Sequence, residues 1–297
     1  MENIQNCPIC GHTNAYHFLN CIDQTYSKEI FSIVACSNCN FKFTSPRPDE
    51  MEIGKYYMSE NYVSHSDNKK GFINKLYHVV KSYALIKKMQ LVMHYSKRKG
   101  IIVDYGCGSG DFLNTCKGNG WEVYGVEPSD SARARIYEKF GISSCENNSE
   151  LLTIIGDKKV DCITLWHVLE HIGNLESLFA LFENILAPNG KIVIAVPNPS
   201  SYDCFYYKQH WAAYDLPRHF YHFEPRDIRL LFSNHGYRNI KTLPMIFDSF
   251  YVSMLSEKNK GSKLGILRAF FIGLLSNVKA IKTGEKFSSQ IYIFQRG

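Results

Sequence analysis

A glycine-rich loop near the middle of the chain has the residue types of a site for a nucleotide-like ligand. The apolar run Ile101-Ile102-Val103 is followed by Asp104-Tyr105-Gly106-Cys107-Gly108-Ser109-Gly110. A glycine turn between a strand and a helix lets the backbone approach a ligand closely and presents amide N–H groups to an anionic group. Asp111 stands where the dinucleotide pattern G-x-G-x-x-G requires its third glycine, which weakens a nicotinamide interpretation.

Two acids are placed to bind the polar parts of such a ligand. Asp104 ends the apolar run, where its carboxylate can accept hydrogen bonds from an ammonium group or from loop amides. Glu127 ends the next strand-like run, 23 positions after Asp104, where one carboxylate can accept from both hydroxyls of a ribose. The sequence therefore predicts a nucleoside site built from the three loop glycines and these two acids.

Titratable side chains follow the strand-like run at 160–165. The string His167-Val168-Leu169-Glu170-His171, if helical, places His167, Glu170 and His171 on one face. The same H-x-x-E-H string occurs in inverted zinc proteases, but its position directly after a strand of a nucleoside-binding sheet argues against that interpretation. A histidine whose pKa lies near 7 suits removal of a proton from a nucleophile. We therefore predict His167 as a general base or a substrate-orienting group.

The segment 211–223 combines aromatic and titratable side chains at a density that suits an acceptor pocket. Within it, Asp215-Leu216-Pro217-Arg218-His219 presents Arg218 and His219 as candidate contacts to an anionic or hydroxylated acceptor. The alternative is a segment that only leads into the helix beginning near Glu224-Pro225, with both side chains in surface salt bridges.

Four cysteines are paired within the first 45 residues. Cys7 and Cys10 form one C-x-x-C pair and Cys36 and Cys39 form another, with a mostly polar spacer between the pairs. Each pair can supply two thiolates to one tetrahedral zinc. A redox pair or structural disulfides are the alternatives, but two matched pairs in a segment without a core of its own favour the metal. We therefore predict a structural zinc ribbon.

Alternating strand-like and helix-like runs predict the fold that positions these residues. From Ile101 onward the alternation is that of a doubly wound α/β sheet. The predicted strands are 101–104, 122–126, 160–165, 191–196, 236–241 and 290–294. Apolar spacing over 69–99 predicts an amphipathic helix. The apolar stretch 266–275 predicts a helix packed over the sheet or in a dimer contact, in preference to one on a membrane surface.

Taken together, these residues resemble the class I S-adenosylmethionine-dependent methyltransferases. The matching motifs are 104–110, the ribose acid Glu127 and 160–167, and the resemblance covers residues 75–297. It implies a Rossmann-like sheet of seven strands, mostly parallel with the last strand antiparallel. It also implies S-adenosylmethionine as cofactor and S-adenosylhomocysteine as product. The implied cofactor-binding residues are Asp104, Gly106, Cys107, Gly108, Gly110 and Glu127, with the adenine near Asn147, Leu165 and Trp166.

Two further segments resemble subgroups of this family. Residues 167–171 are similar to the E-x-x-E-H segment of ubiquinone-biosynthesis O-methyltransferases, some of which use a divalent metal there. Glu170 and His171 match this segment, whereas His167 replaces its first glutamate, and imidazole favours softer ions than magnesium. Residues 215–219 resemble the D-L-P-R-H segment of many uncharacterised bacterial methyltransferases. With His167, which is predicted from its position after the strand, the predicted catalytic residues are His167, His171, Arg218 and His219.

The expected acceptor is a small molecule methylated on oxygen. C-methylation of a sugar-like substrate is the first alternative, because zinc-ribbon-bearing relatives include sugar C-methyltransferases. A nucleic-acid methyltransferase that uses the ribbon is the second. The net charge of +6 without an extended basic block disfavours a nucleic-acid partner. The oligomeric state is not predicted.

Length and composition divide the chain into a main domain and a small module. The 297 residues, 45% hydrophobic and 21% charged, are typical of a globular protein. We expect a zinc-ribbon-like module at 1–45, a linker at 46–68 and the methyltransferase domain at 69–297, with an acceptor-side insertion around 198–224. The N-terminus lacks a signal-peptide pattern, and no run reaches the ~18 apolar residues of a membrane span. We therefore expect a cytoplasmic protein with reduced cysteines.

Overall fold

The computed structural model describes residues 1–57, 72–262 and 265–297. The second part of the predicted linker, 58–68, and the first three residues of the predicted helix, 69–71, lie outside the described residues. The strands are β1 Ala15–Ile22, β2 Ile30–Cys36, β3 Lys42–Thr44, β4 Ile101–Tyr105, β5 Glu122–Val126, β6 Ser144–Cys145, β7 Val160–Trp166, β8 Leu186–Pro197, β9 Tyr221–His222, β10 Tyr237–Pro244 and β11 Ser289–Arg296. The helices are α1 Phe72–Ser96, α2 Asp111–Gly118, α3 Asp130–Phe140, α4 Asn148–Ile155, α5 Leu175–Ile185, α6 Tyr202–Tyr207, α7 Pro225–Asn234, α8 Asp248–Asn259 and α9 Gly265–Thr283.

Seven strands form the large sheet in the order β10-β11-β8-β7-β4-β5-β6. The five strands β4 to β8 pair in parallel, whereas the final strand, β11, is antiparallel to both of its neighbours. This confirms the predicted α/β architecture of seven mostly parallel strands with an antiparallel last strand. Each strand predicted from the sequence is present with small changes at its ends.

The apolar character of the central strands follows from burial on both faces of the sheet. Val103 and Leu165 belong to one buried cluster, which includes Phe179 of α5. Ile102 lies in a second cluster on the other face, with Val92 of α1. Because helices cover both faces, a central parallel strand is apolar along its whole length. The polar ends of β4, β5 and β7 then meet at one edge of the sheet.

A second sheet of four strands, β1-β2-β3-β9, contains the N-terminal segment. Its fourth strand comes from the predicted insertion, because Lys42 pairs with His222 and Phe43 pairs with Tyr221. The rings of Phe41 and Phe223 are 5.3 Å apart between centroids, and both belong to the cluster that extends under the large sheet. The sheet of the predicted zinc ribbon therefore continues into residues far beyond position 45.

Arg218 connects this second sheet to the rest of the protein. Its guanidinium donates to Asp215 at 2.6 and 2.9 Å, to Asp23 at 3.1 Å, and to the backbone oxygen of Tyr56 at 3.0 Å. The Arg218 side chain is 1% exposed and that of Asp23 is 0% exposed. The structure gives Arg218 an internal role, paired with two carboxylates and 1% exposed, and its predicted contact with an acceptor stays a prediction. A buried guanidinium must be paired in this way to offset its lost hydration.

The helix predicted around 266–275 forms as α9. It contacts α8 through a side that includes several small residues, whereas most of its large apolar side chains are exposed, so the alternative of a dimer contact stays a prediction. The helix therefore does not lie over the sheet with its apolar side inward. Among residues 1–57, 72–262 and 265–297, no helix has both the length and the apolar character required to cross a membrane.

We expect Arg218→Ala to lower the free energy of unfolding by about 3–5 kcal/mol, because it leaves the buried Asp23 carboxylate without its cation. The control is Arg229→Ala, which removes a solvent-accessible pair with Glu285 and should cost about 0–1 kcal/mol. Urea unfolding followed by circular dichroism measures both values. Equal, small effects of the two substitutions would contradict the structural role of Arg218.

Candidate active site

The glycine loop after β4 adopts a conformation that requires glycine. Gly106, Gly108 and Gly110 have φ angles of +71°, +54° and +71°, a region that side chains disfavour. A Cβ at Gly106 would lie 2.5 Å from a methyl carbon of Val168. At Gly108, by contrast, the nearest atom to such a Cβ would be 4.0 Å away, so the space above this residue is open. The loop therefore packs at one end and leaves its middle accessible to a ligand.

The backbone amides of the loop are used in two different ways. Those of Gly106 and Cys107 donate to the carbonyl of Val126, which fixes the loop to the end of β5. The amide of Gly108 donates to the Glu127 carboxylate at 2.9 Å, and the same carboxylate accepts from the amide of Ser129 at 3.0 Å. The half-buried Glu127 side chain is thus held against the open part of the loop, as the sequence predicts for a ribose acid.

Asp104 lies below the loop and is buried. The hydroxyl of Thr164 donates to its Oδ1 at 2.6 Å. Burial raises the pKa of the Asp104 carboxyl to about 7, although the Thr164 hydrogen bond and the charge of Lys88 oppose the shift. A carboxyl in this state holds a proton about half of the time near neutral pH. It becomes the preferred partner of any cation that enters the space above it.

Some residues predicted to bind the cofactor direct their side chains elsewhere. Cys107 packs with Leu113 and Ile136 beneath the loop, and the Leu165 side chain is fully buried in the core. Both side chains are buried, so the predicted contacts of these two residues with the cofactor would be made by their backbone. The Asn147 side chain caps α4 by accepting from the Glu150 amide at 3.1 Å.

Trp166, at the end of β7, lies on the opposite face from Leu165 because side chains alternate along a strand. The ring of Phe112 contacts it edge-on at 5.4 Å, and Lys88 Nζ lies 4.3 Å from the Trp166 ring centroid. Burial lowers the pKa of Lys88, a residue of α1 that the sequence analysis missed. Nothing in the local sequence distinguishes Lys88 from the other lysines of this helix.

His167 follows β7 and has a left-handed backbone with φ of +59°. The helix predicted here is only a short 3-10 turn, Leu169–His171. His167 Nε2 lies 3.0 Å from Asp248 Oδ2, and its Nδ1 lies 3.6 Å from Glu170 Oε1. Burial alone lowers the pKa of His167, but the contacts with Asp248 and Glu170 outweigh burial and raise it to about 9. The imidazole is therefore a cation at neutral pH, contrary to the expected pKa near 7.

Asp248 is a second residue that the sequence analysis missed. It is the first residue of α8, 81 positions from His167. Burial would raise the pKa of its carboxyl, but the contact with His167 holds that pKa below its usual range. The tertiary position of α8 brings the two side chains together, and no local sequence pattern predicts this contact.

Glu170, His171 and His219 form a compact group whose donor atoms all lie within 4.8 Å of one another. His171 Nδ1 is 3.0 Å from the carbonyl of Arg218 and 3.0 Å from the Tyr57 hydroxyl, and His219 Nδ1 is 2.9 Å from the carbonyl of Ala213. Because a carbonyl only accepts, each ring carries its proton on Nδ1 and has its Nε2 lone pair free to act as a ligand. The structure thus brings together His171 and His219, which the sequence analysis placed in separate segments.

The Glu170 carboxylate completes this group. It is 1% exposed, and within the part of the chain that the structure describes, neither carboxylate oxygen has a hydrogen-bond partner. A buried carboxylate without a hydrogen bond is costly unless a cation compensates it, and the His167 imidazolium, 3.6 Å from Oε1, compensates it only in part. Two imidazoles and one carboxylate are a donor set that suits a divalent transition metal.

The four predicted cysteine ligands also converge. Sγ of Cys7 lies 3.5 Å from that of Cys39, and Sγ of Cys10 lies 3.6 Å from that of Cys36. Four thiolates at about 2.3 Å from one tetrahedral zinc are roughly 3.8 Å apart, whereas bonded sulfurs are about 2.05 Å apart. All four are free thiols whose sulfurs lie within 4.8 Å of one another. The cluster is compatible with a zinc ribbon and not with disulfides.

Comparison with known proteins identifies the family of this chain. The model of a methyltransferase domain family matches residues 78–242, more than half of the chain. A ubiquinone biosynthesis O-methyltransferase of Rickettsia akari (strain Hartford) is 24% identical over 161 residues, which are 50% of this chain and 61% of that protein. The chain therefore spans less than two thirds of the length of this relative.

Two solved structures share the fold. Magnesium protoporphyrin IX methyltransferase from Synechocystis PCC 6803, with bound S-adenosylhomocysteine, has a TM-score of 0.53 at 15% identity and covers 84% of this chain and 100% of its own. Geranyl diphosphate C-methyltransferase from Streptomyces coelicolor A3(2) has a TM-score of 0.51 at 15% identity and covers 78% of this chain and 88% of its own. At this identity the likeness concerns the fold alone.

Proposed function

Because this chain belongs to the methyltransferase domain family, we propose that it transfers the methyl group of S-adenosylmethionine to an oxygen atom of a small-molecule acceptor. The observation that carries the proposal is the open glycine loop at Gly108, with the Glu127 carboxylate held beside it by the Gly108 amide. A nucleoside placed over such a loop meets an acid that can accept from both ribose hydroxyls.

The proposed cofactor site uses side chains and backbone that surround this loop. Glu127 binds the ribose, and the open space at Gly108 admits the cofactor close to the backbone. The buried Asp104 carboxyl, whose pKa is about 7, accepts from the ammonium group and becomes ionised beside it. When bound, S-adenosylmethionine supplies a methyl group carried on a sulfonium. An acceptor oxygen aligned with this methyl forms the new C–O bond as the C–S bond breaks, and S-adenosylhomocysteine leaves.

The proposed acceptor site begins at His167. Through its positive charge it stabilises a nearby acceptor oxygen in the ionised, nucleophilic form. Asp248 and Glu170 keep the imidazole protonated and oriented. This role favours an acceptor with an acidic hydroxyl, such as a phenol or an enol. A carbon acceptor of sugar-like type and a nucleic acid remain the alternative outcomes of an acceptor screen.

Two metal sites accompany this proposal. We infer that Cys7, Cys10, Cys36 and Cys39 bind a structural zinc, because their sulfurs have nearly the spacing of a tetrahedral thiolate site. Glu170, His171 and His219 would hold a divalent ion, which the resemblance to ubiquinone-biosynthesis O-methyltransferases implies for this segment. Such an ion would supply Lewis-acid chemistry close to the acceptor side.

Glu127→Gln is expected to weaken binding of S-adenosylmethionine about 10- to 100-fold, because hydrogen bonds to a charged acceptor contribute about 1.5–3 kcal/mol. Isothermal titration calorimetry measures the dissociation constant. The matched control is Glu138→Gln, an exposed acid on α3, which should leave affinity unchanged. If the unmodified protein fails to bind the cofactor, the proposed function is wrong.

The pH dependence of turnover distinguishes the two roles of His167. An acceptor is first found by mass spectrometry, as a metabolite that gains one methyl group. We then compare kcat/KM of the unmodified protein with kcat/KM of His167→Gln at each pH. The ratio is expected to be about 10²-fold at neutral pH. It should fall as the pH rises through about 9, where the imidazolium loses its proton. The ratio cancels ionisation of the acceptor itself. A ratio that rises through pH 9 would instead identify His167 as the general base.

Cys36→Ser is expected to remove the zinc and to destabilise the β1-β2-β3-β9 sheet, because binding of a structural metal is coupled to folding. Inductively coupled plasma mass spectrometry gives zinc per chain, with Cys21→Ala, outside the cluster, as the control that keeps its zinc. The same analysis on Glu170→Gln separates the sites, since this variant should lose only the second ion. Stoichiometric zinc retained in Cys36→Ser would contradict the ribbon.

A further inference from the structure

The outer face of α9 exposes large apolar side chains to an unusual degree. Leu267, Phe270, Phe271 and Ile281 are 67%, 54%, 63% and 71% exposed. Apolar residues scattered singly over a surface are common, but a contiguous apolar patch on a monomer marks an interaction site. Here the exposed residues recur at helical spacing along the whole helix, so they form one continuous face.

The inner face of the same helix carries small side chains. Ala269, Gly273, Ser276 and Ala280 are buried. A Cβ at Gly273 would lie 3.0 Å from the backbone of Phe250, so α8 and α9 approach each other closely at this point. Ile272 is a large apolar residue buried on this side, whereas Leu267, Phe271 and Ile281 stay exposed. Their position is the reverse of that in an ordinary surface helix, which turns its apolar stripe inward.

The apolar face continues beyond α9 through contacts between aromatic rings. Phe270 contacts Phe250 of α8, with centroids 5.5 Å apart. At the start of α8, Phe247 contacts Tyr83 of α1 edge-on at 6.1 Å, and both rings are partly exposed. We call the exposed side of α8 and α9, together with Phe247 and Tyr83, the outer apolar face.

The charges along α9 are mostly positive, although Arg268 lies 3.8 Å from the buried carboxylate of Glu257 on α8. From residue 258 to residue 283 the sequence contains six lysines and arginines and no acidic residue. By helical spacing, Arg268, Lys279 and Lys282 lie along one border of the exposed apolar residues of α9. Apolar side chains bordered by cations are the pattern of a helix that lies in the plane of an anionic membrane surface.

We propose that the outer apolar face binds the surface of an anionic lipid bilayer, with α9 lying parallel to the membrane. A second copy of this chain is a poorer fit, because a two-fold contact would bring the same cations together across the interface. Anionic lipid headgroups neutralise these cations, and the acyl chains accept the rings and aliphatic side chains.

The position of this face relates it to the acceptor site. Phe247 directly precedes Asp248, whose carboxylate contacts His167 at 3.0 Å. A protein bound through the outer apolar face therefore has its acceptor side next to the bilayer, from which a lipid-like acceptor could enter. This second step rests on the proposed function, whereas the membrane binding itself does not.

The test is co-sedimentation of the full chain with lipid vesicles, without cofactor or acceptor. We expect binding to vesicles of equal parts phosphatidylcholine and phosphatidylglycerol, at least about tenfold weaker binding to phosphatidylcholine alone, and weakening by salt. Phe270→Ser with Phe271→Ser should lower binding about tenfold or more, and Lys279→Gln with Lys282→Gln should lower it on anionic vesicles only. The control pair is Tyr137→Ser with Ile154→Ser, exposed apolar residues of α3 and α4.

Three results would overturn the proposal. These are absence of binding to anionic vesicles, an equal loss of binding in the control pair, and a concentration-dependent dimer in light scattering that Phe270→Ser with Phe271→Ser abolishes. The last result would assign the face to contact between two copies. Circular dichroism of each variant shows whether the fold is retained. Since vesicle binding needs no methyl transfer, its failure and the failure of the proposed function are separate results.

Discussion

The proposed acceptor side of the protein depends on the buried ion pairs that the Arg218 guanidinium makes with Asp23 and Asp215. The guanidinium pairs with Asp23, which lies in the turn between β1 and β2, and with Asp215, which lies in the segment before β9. Asp23 is 195 residues away from Arg218 in the sequence and Asp215 only 3, so the pairing joins the N-terminal sheet to this later segment. Close to this pairing, the backbone amide of Phe220 donates to the backbone oxygen of Glu170 at 2.7 Å. The N-terminal sheet thereby fixes the position of His219 beside Glu170 and His171. The cysteine cluster lies in the same N-terminal segment, so the proposed zinc would support this sheet as well.

Electrostatics divides the edge of the large sheet into two regions. On the loop side, Asp104 is buried without a strong counter-charge, so its pKa rises to about 7, while Glu127 is held by two backbone amides. On the other side, His167 lies between two carboxylates and remains a cation up to a pH of about 9. In the proposed function, Asp104 is the partner of the positively charged methyl donor and His167 is the cation beside the acceptor oxygen. The same parallel strands hold both regions, which keeps their separation fixed.

The outer apolar face shows how much the tertiary structure can change the meaning of a sequence pattern. An apolar run such as 266–275 ordinarily predicts burial, because hiding apolar surface from water is favourable. Here the small residues Gly273 and Ser276 occupy the buried side, since only small side chains allow α9 to approach α8 so closely. Most of the large residues are left outside, where their exposure in water is unfavourable unless another surface covers them.

The sequence by itself determined what depends on neighbouring residues. The glycine loop, Glu127, the strands of the large sheet and the two cysteine pairs were all predictable, because turn chemistry, apolar runs and ligand spacing are local properties. Only the tertiary structure decided which way side chains point and which distant groups they meet. It turned Arg218 inward, buried the side chains of Cys107 and Leu165, brought Asp248 to His167 and united His219 with Glu170. The physical reason is that each of these outcomes depends on packing between elements far apart in the chain, and no periodicity in the sequence records that packing.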